Sequence, residues 1–206
     1  MVLDSVGVNG RVYHNLADWG MDILKVGNSL GAGAIAIGIG DSLYRVGPCD
    51  EGNYRMITEG PVRAVLEFTY KGVPASERKY DVTHRITLAA GDRFYRSQVW
   101  VDKLQGDEEL VTGIVNLHDV AADSITLGDM RVLYALGNQA FSGEMLGMGL
   151  LVNAGQFGKS WEADTTGSGI VHTHLVSLML NSDKPSEYCF LAAWENRDPQ
   201  IKDNAF

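Results

Sequence analysis

The sequence predicts an all-β fold, a large antiparallel β-sandwich with few short helices, and three observations carry that prediction. Apolar and polar residues alternate with a period of two over long stretches. Clusters of turn residues separate those stretches. Glycine is abundant, at 24 of 206 residues, and proline scarce, at 5, a balance that fits tight turns between strands rather than a disordered linker.

Taken in order, strands are expected at Ala32–Ile39, Leu43–Val46 and Tyr54–Glu59. In Arg63–Tyr70, Ala64, Leu66, Phe68 and Tyr70 share one face, and Arg63, Glu67 and Thr69 the other. Tyr80–Leu88 repeats the pattern, with Tyr80, Val82, Ile86 and Leu88 opposed to Asp81, Thr83, Arg85 and Thr87. Ala89-Ala90-Gly91-Asp92 reads as a turn, and Arg93–Val101 as the return strand of a hairpin. Further strands are expected at Leu110–Leu117, Arg131–Leu136, Gly147–Asn153, Ile170–Leu180 and Tyr188–Trp194. Short helical pieces are expected near Leu16–Leu24 and at the C-terminal end. No repeat and no domain boundary is visible, so residues 1–206 read as one β-sandwich domain.

The totals narrow the function. With 45% apolar and 21% charged residues the chain is of ordinary globular composition. Its net charge is -9, its isoelectric point about 4.9, and it has no Lys/Arg cluster, so nucleic acid is not an expected partner. The longest apolar stretch, Leu30–Ile39, is short and full of glycine, which argues against a membrane span. Met1–Asn9 lacks a basic region followed by an apolar run, so no signal peptide is read there. Cys49 and Cys189 form no CxxC; they either meet in a disulfide or stay as two idle thiols. GxSxG, P-loop, HExxH and EF-hand patterns are absent.

Gly31-Ala32-Gly33-Ala34-Ile35-Ala36 imitates a dinucleotide-binding fingerprint. That motif needs a βαβ setting, and the setting here is β, so close sheet packing or a crowded backbone is the better account. Tyr13 to Gly27 is the richest segment, with His14, Asp18, Trp19, Asp22 and Lys25 in an unpatterned loop. His14 can move a proton near neutral pH, Asp22 can orient it, and Tyr13 and Trp19 can stack on the apolar face of a sugar ring. Capping and surface salt bridges are the rival account of the same loop.

His172 and His174 would share a strand face, but Val176 and Leu178 continue that face as apolar residues and no third ligand follows. No metal and no cofactor are therefore expected. His84 lies on an apolar face and reads as a hydrogen-bonded core residue. His118-Asp119 could form a dyad. Arg85 and Arg93, in one hairpin with Arg96, would either bind a carboxylate or decorate the surface. Trp194 offers a second stacking platform, with Glu195 beside it as a base or a rim charge.

Several motifs together resemble a known family. Tyr13-His14, Gly20, Asp22, Val26-Gly27 and Gly31/Gly33 are similar to a bacterial domain-of-unknown-function family found with polysaccharide-degradation genes and related to galactose-mutarotase-like super-sandwiches. Glu59-Gly60-Pro61-Val62-Arg63 with Leu66 to Tyr70, Arg85 to Gly91, and Ala192-Ala193-Trp194 extend the resemblance over most of the chain. Family members are longer at the N-terminus, so this chain looks like the C-terminal part of that architecture, and the family implies a periplasmic or secreted setting. The resemblance implies a carbohydrate partner, an oligo- or polysaccharide containing uronic acid. His14 and Asp22 match the family's loop; Lys25 is added from its charge alone.

The expected function is elimination on a uronate-containing glycan, a carbon–oxygen lyase reaction. His14 would be base or acid, Asp22 its orienting partner, and Lys25 or Arg85 the carboxylate binder. Tyr13, Asp18, Trp19, Trp194 and Glu195 would complete the sugar site. A non-catalytic glycan-binding module, an epimerase or hydrolase on the same fold, and a purely structural sandwich are the alternatives. The structural sandwich would expose an apolar patch where its partner region sits.

Overall fold

The structure, a computed structural model, describes residues 13–17 and 20–201. Thirteen strands make up its regular structure: β1 (Ala32–Ile39), β2 (Ser42–Arg45), β3 (Glu51–Glu59), β4 (Arg63–Ala75), β5 (Arg78–Ala89), β6 (Phe94–Asp102), β7 (Glu108–Val115), β8 (Ala122–Leu127), β9 (Met130–Asn138), β10 (Met145–Asn153), β11 (Phe157–Glu162), β12 (Thr173–Met179) and β13 (Ser186–Trp194). Five form one sheet in the order β11-β12-β7-β1-β2, and eight form the other in the order β3-β4-β5-β6-β13-β10-β9-β8. Every named pairing is antiparallel.

The period of two decides what each face does. Ile35, Ile37, Leu110, Ile114, Val176 and Leu178 of the smaller sheet meet Tyr80, Val82, Val99, Leu146, Met148, Leu150 and Tyr188 of the larger in one buried core. The alternate residues Ala36, Val111 and Leu175 point to the other side of the smaller sheet. There they form a second, smaller apolar cluster with Leu30, flanked by Leu43, Trp161 and Ile170. The central strands β7 and β12 of the smaller sheet are thus buried on both faces, and nearly all of their residues are buried.

The Gly31–Ala36 segment is a strand with a bulge, and its glycine is a packing requirement. The register of β1 against β7 slips between Ala32 and Ile35, freeing two carbonyls. The Tyr95 hydroxyl donates to Ala32 O and the Tyr188 hydroxyl to Gly33 O. Gly33 has φ +84°, and a Cβ there would lie 2.5 Å from the Tyr95 hydroxyl and 3.1 Å from Phe190 Cβ. Only glycine fits.

Three expectations are corrected. No helix occurs among the described residues: Ala17 and Gly20 instead pair with each other, leaving the described part of Leu16–Leu24 without the consecutive bonds a helix needs. The last residues, 202–206, lie outside the described set, and 195–197 and 199–200 are turns. β8 and β11 are strands the sequence did not announce. Each is the edge of its sheet and mostly exposed, so neither has the buried face that writes an alternating pattern. His172 and His174 do not share a strand face. His172, at φ 47°, precedes β12, while His174 turns inward and its Nε2–H donates to Val120 O at 2.8 Å.

Cys49 and Cys189 are free thiols. No cluster of three or more His, Cys, Asp or Glu is placed to hold a metal among the described residues.

Candidate functional site

The loop carrying His14 folds as a small hairpin. Asp22 N donates to Tyr13 O at 2.8 Å, and Ala17 and Gly20 exchange two backbone hydrogen bonds nearer the tip. Gly20 takes φ +117°, which a glycine adopts at low cost. This closure brings together His14 and Asp22, eight positions apart. His14 Nδ1 lies 2.9 Å from Asp22 O and 3.8 Å from Asp22 Oδ2. A carbonyl only accepts, so Nδ1 carries the proton, and in the neutral ring Nε2 is left with a free lone pair. Asp22 Oδ1 accepts from Leu24 N at 3.1 Å, which fixes the carboxylate.

The imidazole is gripped from the side. Phe141, in the turn between β9 and β10, stacks on it with centroids 4.4 Å apart and planes 18° apart, and Tyr13 tilts against it at 4.6 Å. Phe141 N donates to Ile23 O at 2.7 Å, tying the loop to that turn. Nothing in the sequence marked Phe141, because its role exists only once the hairpin docks there.

Next to this loop lies a cavity of about 420 Å³. Ile23 forms one wall, and Arg93, Trp194, Arg197, Asp198 and Ile201 form others. Arg93 Nη1 lies 2.7 Å from Asp198 Oδ2, and hydrogen bonding to Arg93 holds that carboxyl below its usual range. Arg197 is exposed and makes no salt bridge among the described residues. Trp194 Nε1 is buried without a hydrogen-bond partner among them, an open donor of the kind that a ligand or water satisfies. Two guanidinium groups, an indole with a free donor and an apolar floor can take a flat ring bearing a carboxylate.

The other expected residues divide plainly. Trp194 lines the cavity and Tyr13 packs on His14. Lys25 is exposed on the loop and lines none of the described cavities. Asp18 and Trp19 lie outside the described residues. Glu195 is a clasp: Met145 N donates to its Oε1 at 3.1 Å, and its own N donates back to Met145 O. His118 and Asp119 are exposed in the turn after β7, and no side-chain hydrogen bond joins them among the described residues.

Arg85 does not join the loop. It sits on the outer face of the eight-stranded sheet, where Arg55, Glu67, Arg85, Gln98 and Glu187 stand in register across five strands. Arg85 donates to Glu67 Oε2 at 2.6 Å, Arg55 lies 2.8 Å from Glu67 Oε1, and the Arg85 guanidinium lies 5.2 Å from the centre of the Trp100 ring. Hydrogen bonding to Arg85, against the cost of burial, holds the Glu67 carboxyl below the usual range. Arg85 is thus partnered within the sheet, whereas Arg93, with Arg197, lines the cavity.

A family model described as "Domain of unknown function (DUF4861)" matches residues 1–205. The chain belongs to the DUF4861 family. A relative is "Uncharacterized protein P7" of Formosa agariphila, 33% identical over 107 residues. That match covers 52% of the DUF4861 chain and 26% of the relative, so the chain spans about a quarter of that protein's length. Membership bears out the resemblance to a family of unknown function and names no activity.

Proposed function

We propose that this DUF4861 chain binds the uronate residue of an oligo- or polysaccharide in the Trp194 cavity and that His14 transfers a proton in an elimination reaction. One observation carries the reading: a cavity walled by Trp194, Arg93 and Arg197 takes one further wall, Ile23, from the loop whose hairpin holds His14 with its proton on Nδ1 and its Nε2 lone pair free in the neutral ring. The arginines hold the carboxylate and draw charge away from the neighbouring carbon, which acidifies its hydrogen. A base takes that proton, the C–H electrons form a C=C bond, and the adjacent C–O bond breaks with its oxygen protonated on leaving. His14 serves as the base or returns the proton as the acid. Asp22, through its carbonyl, keeps Nδ1 protonated and so keeps Nε2 in the working form.

The test is product analysis with uronate oligosaccharides. Elimination leaves a conjugated double bond with new ultraviolet absorbance, whereas hydrolysis and epimerisation leave none. Binding without turnover, unaffected by His14→Ala and lost in Trp194→Ala, would replace catalysis with a glycan-binding role.

A second reading, a structural part of a larger assembly, is favoured by one feature. Tyr54, Met56 and Leu88 are 74%, 45% and 48% exposed. They lie on the face of the eight-stranded sheet that, farther along β5, carries Tyr80 and Val82 into the core. This reading predicts no saccharide binding at either Trp194 or any other cavity.

A further inference from the structure

We infer that the outer face of the five-stranded sheet holds a separate binding site for an uncharged sugar ring. A cavity of about 450 Å³ lies there, on the far side of that sheet from the main core. Its apolar floor is the exposed part of Leu43, Ala163 and Ile170, resting on Val111 and Leu175, which are themselves fully buried, with Gly38 leaving room above the strand. A Cβ on Gly38 would meet Val111 Cγ2 at 3.1 Å, so a side chain there would crowd this floor.

Trp161 of β11 forms a wall. It packs on the Leu30–Val111–Leu175 cluster, and the Lys159 ammonium lies 4.9 Å from the centre of its ring. A flexible lysine at this distance means the ring is not sealed by core residues there. A sugar's C–H face can take the same place when the lysine swings aside.

The polar lining selects the ligand. Asp41, Glu109, Glu162 and Asp164 face one lysine, Lys159. Glu162 accepts from Asn116 and Glu109 from Ser177, whereas the Asp41 and Asp164 side chains make no hydrogen bond among the described residues and are exposed. Carboxylates accept from sugar hydroxyls and repel a sugar carboxylate. The site is therefore the chemical opposite of the arginine-walled Trp194 cavity and does not depend on it: a chain carrying acidic and neutral sugars presents one kind of residue to each.

The experiment is calorimetric titration of the full chain with galactose, xylose, cellotetraose and xylotetraose, with glucuronic acid and spermidine as controls. Saturable binding of at least one neutral sugar is expected, weakened by about tenfold or more in Trp161→Ala and in Asp164→Asn. It should be unchanged in Trp194→Ala, which separates this site from the proposed uronate cavity. Because Trp161 also packs on Leu175, the exposed Asp164→Asn variant keeps the test clear of misfolding. Absence of binding by all four neutral sugars, binding only of spermidine, or binding that survives both substitutions would overturn the assignment.

Discussion

The imidazole of His14 and the ring of Phe141 stack with centroids 4.4 Å apart and planes 18° apart. The contact joins a loop before β1 to the β9–β10 turn, and with the Nδ1 bond to Asp22 O it fixes both the tilt and the tautomer of the imidazole. Proton transfer depends on such placement, since a displaced base loses alignment with the hydrogen it takes.

Phe141→Ala should therefore lower kcat by roughly tenfold while changing KM little, because the ring stacks on His14 without lining the cavity, and the backbone bond from Phe141 N to Ile23 O survives the substitution. The lost aromatic contact should cost about 1 kcal/mol of stability. Phe141→Tyr keeps the stack and should restore turnover. Steady-state kinetics with thermal melts checks both; equal turnover in Phe141→Ala would detach His14 from the mechanism.

The two arginine groups give opposite predictions. Arg197→Ala should raise KM for a uronate oligosaccharide by tenfold or more, about 1.4 kcal/mol or above. Arg85→Ala should leave KM alone and instead destabilise the fold by roughly 1–2 kcal/mol, by leaving nearly buried Glu67 with Arg55 as its one arginine partner. A KM change in Arg85→Ala would restore its expected role as a carboxylate binder.

Much of the fold was legible because both faces of most strands have a fixed fate. Arg63–Tyr70 and Tyr80–Leu88 alternate because one face meets the core or its margin and the other carries the Glu67–Arg85 row. β8 and β11 were silent because each is a short, exposed edge strand of six residues with only one or two partly buried, too few to write a period. At the site, His14 and Asp22 were legible as chemistry-bearing residues in a loop, and Trp194 as an aromatic residue at a strand end. Phe141, Arg197 and the Trp161 cavity were not, because each depends on distant segments meeting. Arg85 misled because a strand position gives the face, and not the partner waiting on the next strand.

Gly33→Ala should be among the costliest single substitutions, at about 3 kcal/mol, since it combines an unfavourable φ with a clash against Tyr95 and Phe190. Tyr188→Phe should cost roughly 1–3 kcal/mol by removing the donor to the buried Gly33 carbonyl. Denaturant unfolding measures both. A neutral Gly33→Ala would mean that the bulge relaxes.

Acid should weaken the fold in two stages. Burial pushes the His84 imidazole down to about 4, so the unfolded chain takes up this proton first. Stability is complete above the ordinary histidine value of about 6.5 and falls as pH drops from there toward 4, by roughly 3 kcal/mol. For Glu108 burial acts upward, but Tyr80 and the amides of Gln105 and Gly106 donate to its carboxylate and bring it to about 2. Its stabilisation is present above about 4.5 and is lost as pH falls through 2. His84→Gln keeps a hydrogen-bonding side chain beside Ser97 and should flatten the first stage without touching the second. Unfolding free energies across pH 7 to 3 test this; an unchanged slope in His84→Gln would assign the first stage elsewhere.

The most direct test of the central claim is ultraviolet absorbance during incubation with a panel of uronate polysaccharides and their oligosaccharides, run in parallel with wild type and His14→Ala. Elimination predicts a rise in absorbance from the conjugated double bond in the wild type, slowed by about a hundredfold or more in His14→Ala at unchanged folding. A flat wild-type trace across the panel, or an equal rise in both proteins, would contradict His14-driven elimination.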